Sequence, residues 1–161
     1  MTPLESPIEW KFAAAVRDLN VPFLKQYTQS SALEEMLKEW VPDTHLYVCA
    51  PQVQCGQHRV DFLFVAYCQD LKPTLVAVEC DGHDIHERNK ERAAKDKSRD
   101  RELAGMGIQV MRFTGSEIHR DAAKCVREVF GYIDRRGDEA MQYLNPSLWA
   151  KLRAFAVEPR T

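Results

Sequence analysis

The sequence has no Cys-x-x-Cys pair, no internal repeat, no low-complexity segment and no apolar run approaching the roughly 20 residues that a membrane-spanning helix needs. Nor is there a large excess of either charge. With 22 Lys and Arg against 24 Asp and Glu the net charge is −2, which excludes a protein that coats nucleic acid by bulk electrostatics. The N-terminus lacks a basic region followed by a long hydrophobic stretch, so no signal peptide is expected and the cytoplasm is the expected compartment. Five cysteines, an odd number, point to reduced and structural thiols. Cys80, His83 and His86 have a spacing that suggests zinc, but a strand cysteine facing away from its neighbours makes joint ligation awkward.

What is present is a chain of 161 residues, 45% hydrophobic and 29% charged, which reads as one soluble domain over residues 1–161. Its core is expected over about 45–135, with N-terminal helices in 6–40 and a C-terminal helix at about 145–156. Ser6, Pro7 and Glu9 mark a helix start, with Ser as cap, Pro at the first helical position and Glu closing a capping box. Ile8, Phe12, Ala15, Val16 and Leu19 then recur at helical spacing. Glu9 is thereby explained as a capping residue, and it also stands where it can project into a site. A second short helix is predicted over Ser31 to Trp40 and stops at Pro42.

Leu46 to Val53 reads as a strand that turns through Cys55-Gly-Gln57 into Arg59 to Tyr67. Alternation places Val60, Phe62, Phe64 and Ala66 on one face, with Arg59, Asp61, Leu63, Val65 and Tyr67 on the other. Asp61, an acid at the start of an apolar strand, needs a buried arginine or a cation as partner. The next strand, Thr74 to Cys80, ends in Glu79 and Asp81, which share a face while Cys80 points the other way. Two carboxylates side by side repel, and a bound divalent metal is the simplest group to offset that.

A highly charged helix follows, from Ile85 or Glu87 through Ala104, then an alternating strand Ile108 to Phe113. Thr114 or Ser116 caps a further helix that is expected to reach about Arg135, and Asn145 to Ser147 start the last short one. A hairpin followed by a strand–helix–strand crossover gives a mixed α/β sheet with helices on both faces. Adjacent strands then bring Asp61 and Glu79 together at one end, with Asp81 one pleat further along. All-oxygen donors suit Mg²⁺ or Mn²⁺, and phosphodiester hydrolysis is the natural task of such a site.

The ordered series Arg59-Val-Asp-Phe62, Val78-Glu-Cys-Asp-Gly-His83, His86, Asp96-Lys-Ser-Arg-Asp100, Leu103, Gly107 to Phe113 and Glu117-Ile118 resembles the PD-(D/E)XK nuclease superfamily. It is most similar to the branch of the very-short-patch mismatch-repair endonuclease (Vsr-like). The resemblance covers Arg59 to Ile118 together with Glu9. It implies a restriction-endonuclease-like three-layer α/β/α core with a mixed four-stranded sheet, in which Asp61 and Glu79 bind Mg²⁺ with the Cys80 carbonyl. Glu9 is implied as a further ligand, direct or through water, and Asp81 is taken with Asp61 and Glu79 as a catalytic acid.

Asp81 departs from the superfamily pattern, because it fills the position of the motif lysine. A migrated basic residue is then expected, and His86, Lys95 and Arg99 are the candidates. Asp96, Arg99 and Asp100 also read as pairing with one another and with Arg112 to fix the helix on the sheet. Lys95, Arg99 and Arg112 are the expected nucleic-acid contacts, with DNA as partner. The cysteines and histidines of the repair enzyme's structural zinc site are absent before Asp61, which speaks against mismatch-specific nicking. The competing reading is a nuclease-fold module that binds nucleic acid or a protein partner without cutting. The first helix and residues 141–155 carry enough apolar and aromatic side chains for a contact between two copies, so a homodimer is also expected.

Overall fold

Ser6 adopts an extended backbone, accepts the Glu9 N–H on its hydroxyl, and so starts α1 (Pro7–Asp18), as its capping box predicts. The computed structural model describes residues 4–21, 24–26, 32–33, 47–66, 73–82 and 90–144. The expected helix at 145–156, all of that at 31–40 except Ala32 and Leu33, and His83, His86 and Cys68 lie outside the described residues.

After α1 come β1 (Leu24–Gln26), β2 (Tyr47–Cys55), β3 (His58–Ala66), β4 (Thr74–Asp81), α2 (described over Lys90–Gly105), β5 (Ile108–Thr114) and α3 (Gly115–Leu144). The strands lie in the order β1-β2-β3-β4-β5. β2, β3 and β4 form an antiparallel meander, β4 and β5 are parallel, and the three-residue β1 pairs parallel with β2. The four expected strands thus make the mixed sheet, and β1 extends its edge. Gly56, at φ 59°, makes the two-residue turn between β2 and β3 without steric cost.

Helices cover both faces. On one side α1 and α3 close over Cys49, Phe62, Phe64, Val76, Val78 and Phe113. Phe12 is the centre of that layer, 5.0 Å from Phe62, 6.1 Å from Phe113 and 6.4 Å from Phe64 between ring centroids. The Lys11 ammonium donates to the His119 carbonyl and ties α1 to α3. On the other side Leu103 of α2 packs on Val53, Val60, Leu63, Val65, Ala77 and Ile108. His58 and Glu102, 2.8 Å apart, hold α2 against the β2–β3 hairpin.

The alternation expected for β3 breaks at Asp61. Val60 packs under α2 whereas Phe62 packs under α1, so the two do not share a face. Gln52 on β2, at φ 53°, is opposite this break, and β2 changes face there too, from Cys49 under α1 to Val53 under α2. A left-handed residue turns the strand over locally, which pattern reading cannot foresee.

Thr114 is the cap of α3. Its hydroxyl accepts the Glu117 N–H, and the Glu117 carboxylate accepts the Thr114 N–H and O–H. Thr114→Ala is expected to cost about 1 kcal/mol, read as a lowered midpoint in chemical denaturation. The helix kinks at Asp121, at φ −159° and ψ 83°, whose carboxylate accepts the Lys124 N–H and restarts the helix. It continues past the expected end near Arg135 to Leu144. Gly137 does not stop it, and the Arg136–Glu139 ion pair at 2.8 Å spans that point. Among the described residues no helix is long and apolar enough to cross a membrane.

Candidate active site

The regular β3–β4 ladder runs to Phe62 opposite Val78 and goes no further, while β4 stays paired with β5 through Asp81. Where the strands part, a backbone donor on β4 loses its ladder partner. Asp61 fills that gap, because its Oδ2 accepts the Cys80 N–H at 2.7 Å. Asp61 is therefore fixed beside Glu79 by the same geometry that ends the strand pairing.

Face alternation along β4 holds as expected. Cys80 turns toward the α1 layer, and Glu79 and Asp81 turn toward α2. Glu79 is 6% exposed, and with Glu9 and Gln52 it makes up the buried polar and charged residues among the described residues. All three lie at this end of the sheet. Glu9 reaches it from α1, where its carboxylate accepts from Ser6 Oγ at 2.9 Å, the Glu5 N–H at 2.9 Å and Gln52 Nε2 at 2.8 Å. It therefore both closes the capping box and joins the acid cluster. Strand alternation does not mark Gln52 as a site residue; the one trace of it in the sequence is a polar residue inside the run Val48 to Val53.

Two arginines meet these acids. Arg99 of α2 donates to both oxygens of Glu79, at 2.6 and 3.3 Å, and to the Arg59 carbonyl. Arg112 of β5 lies opposite Glu79 in the parallel register, donates to Asp100 at 2.7 Å and stands 3.6 Å from Asp81. The expected pairing of Asp100 with Arg112 is present. Arg99, by contrast, pairs with Glu79. Lys95, one turn earlier on α2, is exposed, and among the described residues no hydrogen bond joins it to the acids.

The carboxylates feel one another. Burial, then the charge of Asp61, pushes Glu79 up to about 7, although Arg99 and Arg112 pull it back. Asp61 is raised by burial and by Glu9 and Asp81, against the lowering effect of the Cys80 N–H and Arg99. The Cys80 thiol is raised by burial and then by Asp61, Glu9, Glu79 and Asp81, so all four acids act on one point. Burial lowers Arg112, but the hydrogen bond it donates to Asp100 and the charges of Asp100, Asp81 and Glu79 outweigh that and raise the group.

Among the described residues no three Cys, His, Asp or Glu side chains form a ready-made metal cage. Arg99 covers Glu79, and the Glu9 carboxylate is filled by its own hydrogen bonds. The donor chemistry still fits a hard cation: carboxylate oxygens of a buried Glu79 and a half-buried Asp61 on adjoining strands, both raised by burial and by neighbouring acids, lower their energy by sharing positive charge. Asp81, at the lysine position, brings Arg112 in from β5, so the positive charge on this side comes from a neighbouring strand.

The family model REase_MTES_1575 matches residues 34–133, more than half of the chain, spanning β2 to β5, α2 and most of α3. Comparison with curated proteins gives no significant match, and comparison with solved structures gives none either.

Proposed function

We propose, since this chain belongs to the restriction-endonuclease-like family REase_MTES_1575, that it is a metal-dependent endonuclease hydrolysing DNA phosphodiester bonds, of the Vsr-like PD-(D/E)XK type. The observation that carries this reading is the placement of Asp61 and Glu79 on adjoining strands where the β3–β4 ladder ends. In it Asp61, Glu79 and the Cys80 carbonyl hold Mg²⁺ or Mn²⁺, with Glu9 behind them on α1. The ion supplies Lewis-acid activation of a water and neutralises charge on the leaving oxygen.

The chain's own residues do the rest. Asp81 and Asp100 aim the Arg112 guanidinium, which stays protonated at any working pH and is placed to hold a phosphate oxygen. Arg99 and Lys95 lie on the adjacent helix as further phosphate contacts. The role of general base in place of the motif lysine falls to His86 or Lys95.

A second reading, the non-cutting module, is favoured by one observation: Asp81 stands where the lysine would be and engages Arg112. Cleavage of supercoiled plasmid and single-stranded DNA with Mg²⁺, Mn²⁺ or chelator, wild type beside Glu79→Ala, decides between them. Metal-dependent cutting that vanishes in the variant is the expected result. Metal binding without cutting of any nucleic acid overturns the nuclease and leaves the module.

A further inference from the structure

Two arginines at this end of the molecule carry positive charge toward the acids, and of these Arg99 sits on Glu79, a proposed metal ligand. Arg99 takes both oxygens of Glu79 with the two prongs of one guanidinium, and its side chain and that of Glu79 are 23% and 8% exposed. The same guanidinium donates to the Arg59 carbonyl, two residues before Asp61. Arg99 therefore bridges the two strands that carry Asp61 and Glu79, from the α2 side.

We infer that Arg99 is the resident counter-cation of Glu79 in the metal-free protein and leaves that carboxylate when a divalent cation binds. This rests on the metal-dependent reading above and adds a regulation to it: metal affinity is set by competition with an internal ion pair. A guanidinium in contact with both oxygens takes up part of the carboxylate's acceptor capacity, and two cations on one buried carboxylate repel in a medium that screens poorly. Exchange relieves that repulsion, whereas joint occupancy does not. The geometry also gives the released side chain somewhere to go. Asp96 lies three residues before Arg99 on α2, a spacing at which helix side chains meet, so the guanidinium stays beside the site with its donors available for a phosphate. Arg99 is thus a positioning residue that holds Glu79 in place before the metal arrives and yields it afterwards.

The test is Mn²⁺ titration by calorimetry on the full chain, comparing wild type, Arg99→Gln and Arg99→Lys, with thermal melts of each in Mn²⁺ and in chelator. Removing the competitor is expected to tighten Mn²⁺ binding by about tenfold in Arg99→Gln, the size of losing a hydrogen-bonded charge partner. Its melting temperature is expected to rise more on adding Mn²⁺ than that of wild type. Arg99→Lys keeps the charge but loses the two-pronged contact, so it falls between the two. A purely structural pin would not produce tighter binding.

Equal or weaker Mn²⁺ binding in Arg99→Gln, with wild type binding well, overturns the competition and leaves the nuclease reading untouched. Binding in Arg99→Gln but not in wild type supports it in its strongest form. No binding in any of the three overturns the metal-dependent reading, and the competition with it. Should Arg99→Gln not fold, Arg99→Lys carries the same comparison: tighter binding than wild type supports the competition, and equal or weaker binding overturns it.

Discussion

Asp61→Asn is expected to slow DNA cleavage by about a thousandfold or more, roughly 4 kcal/mol of lost transition-state stabilisation, while the protein stays folded. The substitution is nearly isosteric. Its amide oxygen still accepts the Cys80 N–H, so the local ending of the β3–β4 ladder is kept. What it removes is a formal charge beside Glu79, on the proposed reading half of the carboxylate pair that binds the metal. The same loss of charge relieves the repulsion that raises Glu79 and the Cys80 thiol. The metal-free variant should therefore melt no lower than wild type, and Mn²⁺ should no longer raise its melting temperature. Single-turnover cleavage and melting curves on the same preparation check both halves. A variant that cuts within tenfold of wild type would remove Asp61 from the site, and one that unfolds would make Asp61 a structural residue.

That a nearly silent structural change is expected to have so large a functional effect follows from how Asp61 is placed, and sequence shows only part of this. The side of β4 on which Glu79 and Asp81 lie is legible, because period-2 alternation in a continuous apolar strand leaves no alternative. The start of α1 is legible too, from Ser6, Pro7 and Glu9. So is the crossover through α2 that makes β4 and β5 parallel. The switch of faces at Asp61 and Gln52 is not legible, since it depends on one left-handed residue in a strand and on its long-range partner Glu9. Arg99 shows the same limit. Its spacing from Asp96 invites local pairing, yet the structure sends it across to a buried acid on β4. Desolvation explains that choice: an exposed acid gains little from a cation, and a buried one gains much. α3 runs past its expected end near Arg135 and through Gly137, since a glycine inside a helix costs only about 1 kcal/mol.

Glu79→Gln is expected to change the pH dependence of stability, and its direction can be fixed in advance. Glu79 titrates at about 7 in the folded chain against 4.5 for the ordinary group, so between those values the native state holds a proton that the unfolded state has lost. Stability therefore falls as pH rises through this window. The contribution is fully present below about 4.5 and gone above about 7, and the difference in pKa corresponds to about 3 kcal/mol. Glutamine cannot ionise, so the variant should match wild type near pH 4.5 and exceed it at pH 8. The excess should approach that figure, reduced by whatever Arg99 loses with its partner. Asp61, also raised, adds a slope of the same sign beginning above its own ordinary value and is retained in both proteins. Denaturation midpoints in chelator from pH 4.5 to 8 measure the difference, and parallel curves for the two proteins would sink the prediction. The expected crossing carries a functional implication. A carboxylate that costs stability at neutral pH beside a second one is what the proposed metal site accounts for, since a bound cation would offset that cost.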